Sequence, residues 1–130
     1  MRTYTDGEII DLYQTECAVI EECTHEGNYR KGNKAGASIQ SMFAYLETDI
    51  PQAVRVLGTL LKNEDVVVRT KAAAHCLSLD ILQQPAVEVL ESVAENTDFG
   101  VFSLNASMTL QVYKKQGFLK VYPHQQTPKK

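Results

Sequence analysis

The sequence lacks several features that would place it in a special class of protein. No window approaches the roughly 20 apolar residues of a membrane span, and the first residues, MRTYTDGE, contain no apolar segment of a secretion signal. Only three cysteines are present, and Cys17 and Cys23 point in different directions on a helix, so they cannot form a disulfide with each other. We therefore expect a cytoplasmic protein whose free thiols, Cys76 included, serve as small core residues.

Sequence motifs of common catalytic and cofactor sites are also absent. There is no G-x-S-x-G, no Walker loop and no H-E-x-x-H. His75 and Cys76 are adjacent, which on a helix separates their side chains by about 100°, too far for a nucleophile and its base. His25 follows Cys23 closely, but two further zinc ligands are missing there, and His124 lies in the tail. We expect no metal, no cofactor and no enzymatic activity.

The charged residues are segregated along the chain, although the net charge is only −3. Residues 1–26 carry seven acids and one base, and residues 27–34 carry three bases. Residues 47–98 carry nine acids and four bases, and the only charged residues after residue 98 are lysines. An acidic body disfavours nucleic-acid binding, which needs a continuous basic surface. It suits a basic protein partner.

The first half of the chain has the pattern of two amphipathic helices. Thr5 and Glu8 form a T-x-x-E capping box before the first helix, and Gly27 is placed to end it. The basic run of residues 29–34 leads into the second helix. Glu16 projects into the apolar stripe of the first helix. Because an isolated buried charge is costly, Glu16 either reaches water at the helix edge or pairs with a base on the next helix.

Four further helices are predicted after Asp49. The third covers residues 51–62, and the fourth covers residues 65–79 with Asp65 as its N-cap. Asp65 and Arg69 have the i, i+4 spacing of a charge pair. The fifth helix begins at Pro85, and the sixth covers residues 99–115 before Gly117. We expect residues 118–122 to pack back on the last helix pair.

A repeat of 33 residues links the third and fourth helices to the fifth and sixth. Identical residues recur without gaps at nine positions: Ala53, Val54, Val56, Leu57, Asn63, Asp65, Val68, Ala73 and Leu77 match Ala86, Val87, Val89, Leu90, Asn96, Asp98, Val101, Ala106 and Leu110. A period of this length is typical of stacked helical units. The repeat predicts an all-α protein, a short right-handed α-solenoid of three helix pairs, with residues 1–122 as one domain and residues 123–130 as a flexible tail.

The unit over residues 51–79 resembles a HEAT repeat, with a proline-started first helix, an aspartate at the turn and V-R-x-x-A-A on the second helix. Four ordered pieces, GNYRKGNKA, VRTKAAAHCL, AVEVLESVA and FSLNASMTLQVYKKQG, are similar to a family of small bacterial HEAT-like proteins catalogued as a domain of unknown function. Val112 and Tyr113 depart from the tryptophan-containing segment familiar there. The resemblance implies no established activity, but by analogy it suggests an immunity role against a toxin encoded nearby.

A helical repeat binds partners through an extended polar face. The candidate partner-binding residues on that face are Asn33, Lys34, Arg69, Lys71, His75 and Tyr113. Two of them have a structural alternative, since Arg69 could simply pair with Asp65 and His75, at the margin of the buried face, could be a structural hydrogen-bonding residue.

Three hypotheses for function follow from these observations. The first is a cytoplasmic protein-binding module that neutralises a toxin. The second is a HEAT-like nucleic-acid-binding protein that uses Lys34, Arg69 and Lys71. The third is an enzyme that uses His75 with Glu16, which requires a polar cleft joining the two side chains.

Overall fold

The computed structural model describes residues 3–122, and over that range the chain is helical without a strand. The prediction of an all-α protein with six α-helices is confirmed. The predictions for the tail, residues 123–130 with His124, lie outside the described range. The elements in order are α1 (Asp6–Glu26), α2 (Tyr29–Glu47), α3 (Ile50–Leu60), α4 (Val66–Ser78), α5 (Gln83–Glu95), a short 3₁₀ helix (Thr97–Phe99) and α6 (Val101–Gln116).

The chain forms two compact units, one extending to Val56 and the other beginning at Leu57. In the first unit α1 packs against α2. In the second unit α5 packs against both α4 and α6, and α4 also contacts α6.

Both ends of α1 are fixed by the residues that the sequence pattern indicates. The Glu8 amide donates to Thr5 Oγ1 over 3.1 Å, and the Thr5 amide donates to Glu8 Oε1 over 3.0 Å, which completes the capping box. At the other end Gly27 adopts a left-handed conformation with φ 74°, which glycine adopts without steric cost. Only Asn28 separates Gly27 from α2, so the two packed helices form a tight antiparallel hairpin.

The apolar stripes of α1 and α2 supply most of the buried side chains of this hairpin. The largest are Ile9, Tyr13, Ile39, Phe43 and Leu46, all fully buried. The basic run of residues 29–34 does not precede α2 as predicted but forms its first turns, because α2 begins at Tyr29 with Asn28 as its N-cap.

Two glycines within α2 differ in their surroundings. A Cβ atom added at Gly32 would lie 3.2 Å from the Cβ of Cys23, so the absence of a side chain lets α2 approach α1 closely here. A Cβ atom added at Gly36 would have no neighbour within 4 Å.

We therefore expect Gly36→Ala to stabilise the protein by about 0.5–1 kcal/mol, because alanine lowers the entropy cost of helix formation. Gly32→Ala should gain clearly less, since the new methyl group presses on the buried Cys23. Urea unfolding followed by circular dichroism measures both free energies. Equal gains in the two variants would contradict the close approach at Gly32.

In the second unit, the 33-residue repeat appears as a repeated turn. Asn63 Oδ1 accepts a hydrogen bond from the Asp65 amide over 2.9 Å. Asn96 Oδ1 accepts the equivalent bond from the Asp98 amide over 3.1 Å. The repeated Asn-x-Asp sequence thus forms the same side-chain turn twice.

The helices that follow the two turns begin differently. The Asp65 carboxylate accepts from the Val67 and Val68 amides over 2.8 and 3.3 Å and caps α4 as predicted. Asp98 instead lies in the 3₁₀ helix, and Gly100, with φ 60° and ψ −124°, precedes α6 without a side-chain cap. As a result α6 begins at Val101, two residues later than predicted.

This difference predicts unequal effects of removing the two aspartates. Asp65→Ala should destabilise the protein by about 1 kcal/mol, the usual value of an N-cap, whereas Asp98→Ala should change the free energy of unfolding by less than about 0.5 kcal/mol. Chemical denaturation of both variants at low protein concentration tests this. An Asp98→Ala variant as unstable as Asp65→Ala would show that the second turn also caps its helix.

The predicted helix starts need two further corrections. α3 begins at Ile50 and ends at Leu60, and α5 begins at Gln83, two residues before Pro85. Proline is tolerated within the first turn of a helix because its missing amide is not needed there. Leu82, just before α5, has φ 48°, an unusual value for leucine, and its side chain approaches Gly58.

Candidate functional site

The first unit contains an open groove on the α1–α2 hairpin. It has a volume of about 510 Å³, is largely open to solvent, and is lined by Glu8, Asp11, Leu12, Thr15, Glu16 and Ser38. The α1 residues repeat at helical spacing, so they share one side of the helix. Three of the six are carboxylates and only Leu12 is apolar, which makes the groove acidic.

The carboxylates of the groove differ in what they already bind. Glu8 takes part in the capping box. Asp11 and Glu16 form no hydrogen bond or ion pair with any residue in the described range. Glu16 was predicted either to reach water or to pair with a base on α2. It is half-buried at the open groove, where its carboxylate has access to water, and it does not pair with a base on α2.

The N-terminal end of α1 is held by polar contacts that the sequence pattern did not reveal. The Gln52 side-chain amide, only 5% exposed, donates to the Tyr4 carbonyl over 2.8 Å and to Asp6 Oδ1 over 3.0 Å. Arg55 Nε donates to Asp6 Oδ2 over 3.0 Å. The hydrogen bond from Arg55, followed by that from Gln52, lowers the pKa of the Asp6 carboxyl. The rings of Tyr4 and Tyr45 also meet edge to face, and the Tyr4 amide donates to the Tyr45 hydroxyl. The groove is therefore formed on a helix whose start is firmly positioned.

The first turns of α2 form an exposed basic surface. Tyr29 is 78% exposed, and Arg30, Lys31, Asn33 and Lys34 are exposed beside it along the chain. The three cations form no ion pair with a residue in the described range. Cations at a helix N-terminus are unfavourable to the helix dipole, so local helix stability does not account for them. Of the six candidate residues, the structure places Asn33 and Lys34 together on this surface.

Arg69 on α4 binds the preceding loop instead of pairing with Asp65. Its Nη1 donates to the Asn63 carbonyl over 3.0 Å and to the Glu64 carbonyl over 2.8 Å. Arg69 and Asp65 form no ion pair, because Asp65 is turned to the α4 amides. Arg69 thus satisfies two carbonyls of the preceding loop, which is a structural task.

His75 does not lie at the margin of the buried face, as predicted, but is completely buried. A hydrogen bond of 2.8 Å joins His75 Nε2 and the Tyr122 hydroxyl, and the two rings meet edge to face. Within residues 118–122, which were predicted to pack on the last helix pair, Tyr122 contacts His75 of α4 and Leu119 is buried. In this position His75 has no surface to offer a partner. The other two candidates, Lys71 and Tyr113, are half-buried.

The chemistry of α4 is that of a buried core. Burial, with a smaller contribution from Lys71, lowers the pKa of His75 well below its usual 6.5 and keeps the imidazole neutral. Burial also raises the pKa of the Cys76 thiol to about 12, so the thiolate that a nucleophile requires does not form near neutral pH. All three cysteines are free and buried, as predicted. Glu16 and His75 belong to different units, and His75 is not among the residues lining the groove.

Residues 3–122 contain neither a cluster of metal ligands nor a membrane span. No group of three or more His, Cys, Asp or Glu side chains in this range is arranged to hold a metal ion. None of the helices in the same range is both long enough and apolar enough to cross a membrane.

The fold and the groove together define an all-α protein with an acidic surface site on its first helix hairpin. Comparisons of the chain with models of protein families, with curated proteins and with solved structures gave no match.

The burial of His75 predicts a specific dependence of stability on pH. The unfolded chain binds a proton on His75 near pH 6.5, whereas the folded protein does so only at much lower pH, so stability falls as the pH drops below about 6.5. His75→Gln, which retains a polar side chain but does not titrate, should remove a slope of up to about 1.4 kcal/mol per pH unit in that range.

Urea unfolding at several pH values between about 7.5 and 5 measures this slope. Tyr122→Phe is the matched control, because it should lose about 1 kcal/mol at every pH and keep the slope. A His75→Gln variant with the wild-type pH dependence would contradict the assignment.

Proposed function

We propose that the chain is a non-catalytic protein-binding module whose partner presents basic side chains to the α1–α2 groove. The observation that carries this proposal is the pair of carboxylates, Asp11 and Glu16, that have no partner within residues 3–122 and lie beside the aliphatic side chain of Leu12. A partner lysine or arginine can pack its methylene groups on Leu12 and bring its cation to the carboxylates.

The shape of the groove supports a macromolecular partner over a small molecule. Small-molecule sites usually enclose about 70–90% of their ligand, whereas this groove is largely open to solvent. A side chain that projects from a large partner needs no such enclosure, because the surrounding surfaces exclude water. The further exposed acids of α1, Glu22 and Glu26, would attract a basic partner at longer range and accelerate association.

The finer architecture and biological role belong to the same proposal. Three HEAT-like helix pairs would form a short right-handed solenoid, and the two matching Asn-x-Asp turns support that repeat. The sequence resemblance to small bacterial HEAT-like proteins supports a cytoplasmic immunity protein that neutralises a toxin encoded nearby.

A second candidate function is nucleic-acid binding. It is favoured by Arg30, Lys31 and Lys34, which form no ion pair within the part of the chain that the structure describes. Two observations weigh against it. Arg69, one of the three cations assigned to this function, is bound to loop carbonyls. The acidic groove occupies the same hairpin as the basic surface and would repel a phosphate backbone. Strong, salt-dependent binding to a DNA duplex would favour this alternative.

The protein-binding proposal predicts a charge-specific loss of complex formation. We expect the product of the neighbouring gene to co-purify with the tagged chain and to lose its toxicity on co-expression. The double variant Asp11→Lys, Glu16→Lys should weaken this complex at least about tenfold, because two attractive contacts become repulsive.

The matched control is the double variant Glu88→Lys, Glu95→Lys, which makes the same charge change at exposed positions of α5. It should bind normally. Equal loss in both double variants would assign the effect to net charge alone, and absence of both binding and rescue would contradict the immunity role.

A further inference from the structure

The outer face of α6 carries a row of exposed apolar side chains. Val101 is 44% exposed, Leu104 58%, Met108 54% and Val112 43%, and we call these four residues the α6 stripe. Their spacing of three and four residues places them on one side of the helix, along about 16 Å. The opposite side holds Ala106 and Leu110, which are buried. α6 is therefore apolar on both sides, a pattern of helices that are covered on both sides.

The repeat shows that the corresponding face of α4 is covered. Leu104 and Met108 occupy the positions of Lys71 and His75, 33 residues earlier. His75 is completely buried with the Tyr122 ring against it, whereas Met108 is more than half exposed.

The stripe is an exposed apolar row within the part of the chain that the structure describes. An apolar row of this kind on a protein surface marks a site of association with another protein.

The charges at the two ends of the stripe indicate which protein fits. Asp98 lies three residues before Val101, and Lys115 lies three residues after Val112. Both are exposed, and neither side chain forms an ion pair within residues 3–122. Within the described residues the stripe therefore has an unpaired negative charge at one end and an unpaired positive charge at the other.

A second copy of the helix in the antiparallel direction matches this pattern at every position. With the twofold axis near residue 106, Val101 faces Val112 of the other copy, and Leu104 faces Met108. Asp98 lies in the short 3₁₀ helix just before α6, and the same arrangement brings this end of each copy next to the end of the other copy that carries Lys115. A parallel arrangement would place like charges together, which is repulsive.

We propose that two copies of this chain associate through the α6 stripes in an antiparallel, twofold-symmetric arrangement. The same surface is used by both copies, as in most homodimers. Four partly exposed side chains form a small interface compared with the roughly 800 Å² that each partner buries in a stable complex, so we expect dissociation in the micromolar range. The dimer does not involve the α1–α2 groove, so this proposal can be tested independently of the proposed function.

The experiment is sedimentation velocity of the purified chain from about 1 to about 500 µM, which brackets the expected dissociation constant. The wild type should change from monomer to dimer over this range. Leu104→Glu and Met108→Glu should each raise the dissociation constant more than tenfold, because they place a charge at the centre of the apolar contact. Both positions are more than half exposed, so the fold should be retained, and circular dichroism checks this.

Val54→Gln, at an exposed apolar position of α3, is the matched control and should dimerise like the wild type.

A charge exchange tests the antiparallel register. Asp98→Lys and Lys115→Glu should each weaken the dimer, and the double variant, which restores opposite charges, should regain wild-type association. A chain that stays monomeric throughout the concentration range overturns the proposal. This holds even if the stripe is found to bind a different protein. A dimer that is insensitive to the α6 variants, or a double variant that fails to recover, overturns it as well.

Discussion

The second unit depends on one constraint, the Asn-x-Asp turn between α3 and α4. A loop between two helices exposes amides and carbonyls that need partners. Here Asn63 binds the Asp65 amide, Asp65 binds the first amides of α4, and Arg69 binds the carbonyls of Asn63 and Glu64. Three side chains thus satisfy five backbone groups, and the start of α4 is fixed by side chains encoded within seven residues.

Features that depend on such local chemistry were predictable from the sequence. Thr5, Gly27, Asp65 and Gly117 all fix helix ends as their residue types indicate, because a cap acts on backbone groups only a few residues away. The all-α class followed from the amphipathic patterns and the 33-residue repeat. The start of α6 was wrong by two residues, since the repeat suggested a copy of α4 and Gly100 altered the turn.

Features that depend on distant contacts were not predictable in the same way. The residue pattern of α4 placed His75 at the margin of the buried face, because the pattern of one helix contains no information about Tyr122, 47 residues away. Gln52 gave no signal as the buried partner of Tyr4 and Asp6, since glutamine is usually exposed. Of the candidate site, Glu16 was noticed as a carboxylate within an apolar stripe. The groove around it could not be predicted, because it depends on how α2 lies on α1.

The contact between His75 and Tyr122 also has a consequence for the order of events during synthesis. When α4 leaves the ribosome, the Tyr122 hydroxyl that contacts the His75 imidazole in the folded protein has not yet been synthesised. The contact between His75 and Tyr122 can therefore form only after Tyr122 has emerged, and the packing around α4 is completed late. This agrees with the general rule that domains fold as units during synthesis.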